Sequence, residues 1–140
     1  MGVCECEIDD QTSEDLAVAL GHLRQLEGVY DVLQSTVYGK KMRMMTHIRV
    51  LFDPSVEKTV VGTCFSETTT LGLRVSNVRR QVLIRNPHVV TRDGQTFRIK
   101  ETRRPGGTAS RKLEIDEIKD IEGGHSAREK LRRELENEDI

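Results

Sequence analysis

Tryptophan is absent from this chain of 140 residues, which has only two tyrosines and three phenylalanines. A protein that stacks nucleic-acid bases on aromatic side chains would have little to work with here. No nucleic-acid-binding motif is recognisable either, so no nucleic-acid partner is expected. Long apolar runs are missing too. Nothing approaches the roughly 20 residues that span a bilayer, so no membrane partner is expected. The N-terminus, MGVCECEIDD, is acidic and lacks a basic segment followed by an apolar core. It does not read as a secretory signal. Met1-Gly2 opens like a myristoylation motif, but Cys6 stands where serine or threonine is needed. A cytoplasmic protein is the expectation. The three cysteines, Cys4, Cys6 and Cys64, cannot all pair, and nothing points to an oxidising compartment. Cys4 and Cys6 fall on one face of a strand, and no second pair completes a four-thiolate metal set.

What the chain has in quantity is charge, at 32% of residues. The formal net charge of −1 conceals segregation. Residues 1–38 hold eight carboxylates and one base, Arg24. Residues 74–112 hold eleven bases against Asp93 and Glu101, and the tail after Lys112 turns acidic again. Such separation either steers an anion to the basic segment or supplies complementary faces within the protein or its oligomer.

Periodicity predicts the elements. Residues 3–8 alternate as a first strand. Thr12 then opens a helix, with Leu16, Ala19, Leu20, Leu23 and Leu26 at helical spacing and Gly28 as its C-cap. Strands follow at Val29 to Tyr38 and about Met44 to Phe52, joined at Gly39-Lys40-Lys41. Asp53-Pro54 starts a second helix whose buried stripe is Val56, Val60, Val61, Cys64 and Phe65. A strand begins near Leu71 and extends as far as Ile84. This order, β-α-β-β-α-β, predicts an α+β ferredoxin-like sandwich. Val89–Thr91 and Phe97–Ile99 add a β-hairpin around Asp93-Gly94, a type I′ turn signal. Arg103 to Ser110 reads as a loop, Ile115 to Ile121 as a short helix, and Ser126 to Glu136 as a charged helix capped by Ser126. Two regions are expected: a folded domain over 1–121 and a charged helical tail over 122–140.

Three segments carry more polar chemistry than their elements need. Asp9-Asp10 stand where a strand hands over to a helix. They suit a hard divalent cation, or equally the cap and dipole of the helix. Lys40, Lys41 and Arg43 crowd a strand–strand turn, as phosphate ligands or as a solubilising tip. Thr68, Thr69 and Thr70 run from a helix end toward Gly72 and Arg74, to cradle phosphate and ribose or to begin a strand. None is a P-loop or a GxGxxG fingerprint.

Together, in this order and spacing, Asp9-Asp10-x-Thr12-x-Glu14, Lys40-Lys41-x-Arg43 and Glu67-Thr68-Thr69-Thr70-Leu71-Gly72-x-Arg74 resemble the C-terminal domain of the LarC nickel-insertion proteins. The Glu-Thr-Thr-Thr-Leu-Gly stretch is the most specific part. Glu114-Ile115-Asp116-Glu117-Ile118-Lys119 is a fainter match, and the resemblance covers about residues 4–121. It implies half of a CTP-dependent nickel-inserting lyase, inactive without a separately encoded N-terminal-type domain. The full enzyme inserts Ni2+, its substrate metal, into a pyridinium bisthiocarboxylate mononucleotide. The implied cofactor is CTP with Mn2+ or Mg2+, and the implied assembly is a homo-oligomer. Carried over, Lys40, Lys41, Arg43, Thr68, Thr69, Thr70 and Arg74 bind the nucleotide, while Asp9 and Asp10 hold the metal. Three positions depart from the family pattern: Glu7 for Asn, Arg43-Met44-Met45 for Arg-Pro-Gly, and Leu113 for Pro. His22, His47, His88 and His125 are scattered and form no nickel motif. The alternative is a non-catalytic nucleotide-sensing or oligomer-assembly module, since such folds host many functions.

Overall fold

A computed structural model describes residues 1–137. It divides into two compact units, Met1–Arg80 and the chain from Gln81 onward.

The first unit is built on β1 (Gly2–Ile8), α1 (Ser13–Gln25), β2 (Val29–Tyr38), β3 (Met44–Phe52), α2 (Glu57–Glu67) and β4 (Arg74–Asn77). Its sheet runs β2-β3-β1-β4 with antiparallel neighbours throughout, which is the expected ferredoxin-like arrangement. Even-numbered positions of β1 and β3 turn toward the helices. Cys4, Cys6, Ile8, Ile48, Val50 and Phe52 meet Leu16, Leu20, Leu23, Val60 and Cys64 in one core. Local chemistry sets the helix boundaries. The Thr12 hydroxyl accepts from the Asp15 amide at 3.3 Å, and Asp53 Oδ1 accepts from the Ser55 amide at 2.9 Å. Gly28, at φ +81°, ends the turn after α1; a Cβ there would come within 2.9 Å of Val56 Cγ2.

Two expectations in this unit need correcting. Phe65 is half-exposed rather than part of the buried stripe. Val60 and Cys64 stand one above the other at i, i+4, and Phe65, a further 100° round the helix, turns outward. The last strand ends at Asn77 instead of running toward Ile84. Its partner β1 begins at Gly2, which pairs with Asn77, so the ladder has almost no strand left to pair with.

In the second unit, β5 (Arg85–Arg92) and β6 (Gln95–Arg103) form the expected hairpin. Asp93 (φ +50°) and Gly94 (φ +77°) both take the left-handed conformation that a type I′ turn requires. An unexpected strand, β7 (Ala109–Leu113), joins the far side of β6 and makes a three-stranded sheet. Its sequence, Ala-Ser-Arg-Lys-Leu, offers one large apolar side chain, too little alternation to read as a strand. Ile115–Glu117 is a single 3-10 turn, not a longer helix. α3 (Gly124–Asn137) begins two residues before Ser126, where Gly123 and Gly124 turn the chain in left-handed conformations. It belongs to a core: Leu135 is fully buried with Phe97, Ile99, Leu113 and Ile118.

Truncating a fully buried leucine should cost about 2–5 kcal/mol in either unit. Leu20→Ala in the first and Leu135→Ala in the second should both lower the denaturation midpoint. If Leu135→Ala unfolds like the parent protein, α3 does not pack on its sheet.

Candidate functional site

Because β1 is antiparallel to both β3 and β4, the end where β1 finishes is the end where they begin. The topology therefore gathers the three polar motifs from positions up to 65 residues apart. Asp9 and Asp10 follow β1, the Lys40–Arg43 turn leads into β3, and the threonine loop leads into β4.

Contacts join the motifs in pairs. Arg43 Nη2 lies 3.1 Å from Asp9 Oδ2. The Thr69 hydroxyl donates to Asp10 Oδ1 at 2.5 Å. Arg74 donates two bonds to the Glu7 carboxylate, one of them 2.9 Å from Nη1 to Oε2. Thr68 caps the end of α2, its hydroxyl donating to the Cys64 carbonyl at 2.6 Å. Thr70 donates to the Gly72 carbonyl at 2.8 Å, which tightens the same loop. The β2–β3 turn is closed by the Gly39 amide on the Arg43 carbonyl at 2.9 Å. Within it Lys41 and Met42 both take the left-handed conformation, at φ +59° and +58°. Non-glycine residues seldom adopt it, and such strain tends to cluster at functional sites. A cleft of about 450 Å³ opens beside the turn, lined by Glu7, Tyr38, Lys40, Arg43 and Met45 among others. Lys41 is exposed, and neither its ammonium nor that of Lys40 makes a hydrogen bond or ion pair among the described residues.

Sequence reasoning passed over two residues here. Gln11 is the clamp of the threonine loop: its Nε2 donates to the Glu67 carbonyl at 2.9 Å, and its Oε1 accepts from the Thr69 amide at 3.3 Å. It sits inside the Asp9–Thr12 motif, but only the fold brings its partners 56 and 58 residues away to it. Glu7 looked like a mere departure from a family pattern, yet it is Arg74's partner. Its carboxyl is held below the ordinary value of 4.5 by the Arg74 hydrogen bond and then by His47, whose Nδ1 lies 2.9 Å from Glu7 Oε1. Arg74 is correspondingly raised.

The donors near the threonine loop are hard oxygens, the type that Mg2+ and Mn2+ take. Among the described residues no group of three His, Cys, Asp or Glu is arranged to hold a metal ion. Asp9 and Asp10 offer two carboxylates here, each engaged by a neighbour, Arg43 and Thr69. The three thiols are buried in the core. Burial pushes the Cys6 thiol up to about 11, so it is neither a ready nucleophile nor a ready ligand.

The family model described as "Nickel insertion protein" matches residues 1–129. The chain belongs to that family. A putative nickel insertion protein of Rhodopirellula baltica is 36% identical over 115 residues, covering 82% of this chain and 29% of the relative. A pyridinium-3,5-bisthiocarboxylic acid mononucleotide nickel insertion protein of Acetivibrio thermocellus is 38% identical over 99 residues, covering 70% and 24%. The chain thus spans about a quarter to a third of the length of these curated relatives. Among solved structures, the C-terminal domain of a cyclometallase involved in synthesis of the NPN cofactor of lactate racemase, in its apo form, superposes with a TM-score of 0.79. That match has 22% identity and covers 94% of this chain and 91% of the other. A Methanopyrus kandleri protein matches at a TM-score of 0.70 and 19% identity, covering 96% and 83%. At these identities both matches speak to the fold. Among the described residues no helix is long and apolar enough to cross a membrane.

The Glu7–Arg74 pair gives this end of the sheet an acid dependence. Glu7 carries a lowered folded value, so its contribution is fully present above its ordinary 4.5 and is lost as pH falls through the folded value. Arg74 is 60% exposed, so the effect should stay below about 1 kcal/mol. Denaturant unfolding of Glu7→Gln against the parent at falling pH should show the parent losing more stability. Parallel curves would show that the pair contributes nothing to folding.

Proposed function

We propose that this chain is the CTP- and divalent-cation-binding part of a nickel insertion enzyme that makes the nickel-pincer nucleotide cofactor. One observation supports this above the others: the three polar motifs converge on one end of the first sheet, joined by Asp9–Arg43 and Asp10–Thr69. In this reading Lys40, Lys41, Arg43 and Arg74 neutralise the triphosphate. Thr68, Thr69 and Thr70 offer hydroxyls and amides to phosphate and ribose. Asp9 and Asp10 hold Mn2+ or Mg2+, which supplies charge neutralisation on the phosphates. Once Asp9 is committed to a cation, Arg43 is released toward phosphate, so metal and nucleotide should bind cooperatively. Ni2+ is the substrate of the full enzyme, as is the pyridinium bisthiocarboxylate mononucleotide. A separately encoded N-terminal-type domain would handle the nickel, and a cytoplasmic homo-oligomer is the expected assembly.

Calorimetric titration tests the nucleotide claim. CTP should bind with Mn2+ or Mg2+ more tightly than ATP or GTP and hardly at all without metal. Lys41→Ala or Arg43→Ala removes a charge-assisted contact, on the order of 1.5–3 kcal/mol, roughly a ten- to hundredfold loss of affinity. Arg103→Ala, on the second sheet, should change little. Equal weak binding of all triphosphates, or a larger loss at Arg103, overturns the site.

A second measurement concerns the missing half. The chain alone should make no cofactor from precursor, Ni2+ and CTP, and should do so once a family N-terminal domain is added. Tight CTP binding without such complementation would favour a nucleotide-sensing or assembly module.

A further inference from the structure

The tip of the β2–β3 hairpin places large apolar side chains where folding has no use for them. Tyr38, the last residue of β2, is 67% exposed. Met42, in the turn, is 77% exposed, and Met44, the first residue of β3, is 67% exposed. Single exposed apolar residues are ordinary, but a contiguous group of large ones marks an interaction surface. The register sets Tyr38 directly opposite Met44, and Met42 stands in the turn that joins them. The three are therefore neighbours at one end of the first sheet.

Met42 has no local reason to be there. It follows Lys41, and both residues are left-handed, at φ +58° and +59°. A turn with two left-handed residues in succession favours Asn and Gly, which would relieve the backbone. A long apolar side chain stands there instead, in solvent. Methionine is unbranched and polarisable, and it is frequent on surfaces that adapt their shape to a partner. The cations beside it argue against a second copy of this chain on the same patch. A two-fold axis would bring Lys40 and Lys41 close to their own copies, and neither lysine makes an ion pair among the described residues.

The chain spans 29% and 24% of the length of two nickel insertion relatives, so most of each relative lies outside what this chain matches. We propose that the hairpin tip formed by Tyr38, Met42 and Met44 is the docking surface for the additional domain of those longer proteins, received on an apolar patch of that domain. The inference rests on the proposed role of this chain as the nucleotide-binding part of a larger enzyme. Its position fits that role. Lys40, Lys41 and Arg43 interleave with the apolar residues, so a domain seated on the tip lies next to the nucleotide and covers it from water.

The test mixes the full chain with a family N-terminal domain and follows binding by calorimetry. Met42→Asn removes the thioether and suits the left-handed backbone, and Met44→Thr keeps a strand former in β3. Each should weaken docking about tenfold, the effect of losing one buried methionine contact. Neither should lower the unfolding temperature, which separates lost docking from lost fold. Val89→Thr, at an exposed apolar residue of the second sheet, should dock like the parent. Amide hydrogen exchange at residues 38–44 should slow when the domain is added. Titrated with CTP and Mn2+, both methionine variants should match the parent. The nucleotide assignment fails if the parent binds no CTP; the docking surface fails if CTP binds normally and neither variant weakens docking. Absence of any binding between chain and domain would overturn the docking surface as well. So would sedimentation showing that Met42→Asn and Met44→Thr break an oligomer of the chain alone into monomers, since the tip would then be occupied by a second copy.

Discussion

The antiparallel pairing of β1 with β3 on one side and β4 on the other is the constraint on which the first unit depends. It makes β1 an interior strand, so Cys4, Cys6 and Ile8 face the helices and form the floor of the core. The same pairing fixes polarity. Whatever follows β1 must lie beside whatever precedes β3 and β4, and in this sequence those three places hold carboxylates, cations and threonines. Strand direction fixes where these loops meet, and that meeting place is kept where the turn after Arg43 reads Met-Met.

On the open face of that sheet, charges alternate across neighbouring strands. Arg49 Nε lies 2.6 Å from Glu5 Oε1, His47 sits between Glu5 and Glu7, and Arg74 closes on Glu7. Opposite charges across a ladder each add a fraction of a kcal/mol, and together they fix register on a face with little apolar burial to do so. The second sheet lacks this alternation on its open side, and there the like-charged Lys100 and Lys112 face each other. Two antiparallel sheets in one chain thus handle charge in opposite ways. The difference tracks sequence: carboxylates dominate the first 38 residues, and bases dominate the stretch after Arg74.

Much of this was legible in advance, for identifiable reasons. Elements with strong periodicity or a clear cap could be read from residues alone: α1 from its leucines, the type I′ turn from Asp93-Gly94, and the lead into α2 from Asp53-Pro54, which caps a 3-10 turn over Pro54–Val56 just before α2 begins at Glu57. Two things were not legible. β7 depends on pairing with β6 rather than on its own composition, and the length of β4 depends on where β1 begins. Both are non-local facts. The site divides along the same line. The motifs were visible as unusual local chemistry. The pairing of Arg74 with Glu7, and the grip of Gln11 on the threonine loop, require residues more than 50 positions apart to meet.

The cations near the threonine loop are not equally free, and this bears on what a ligand must displace. Arg43 is 65% exposed in its contact with Asp9, and an exposed ion pair is worth about 0–1 kcal/mol. A charge-assisted bond to a phosphate in a partly enclosed cleft is worth about 1.5–3 kcal/mol. Moving Arg43 from carboxylate to phosphate is therefore downhill, provided Asp9 is not left uncompensated. Arg74 differs, because it holds both oxygens of Glu7 in a bidentate pair that costs more to open. A guanidinium has five N–H donors, so Arg74 can keep Glu7 and still turn a remaining donor to a ligand. Arg43 is thus the movable cation and Arg74 the fixed one. The mobility of Arg43 is what would couple an anion near the threonine loop to a cation on Asp9.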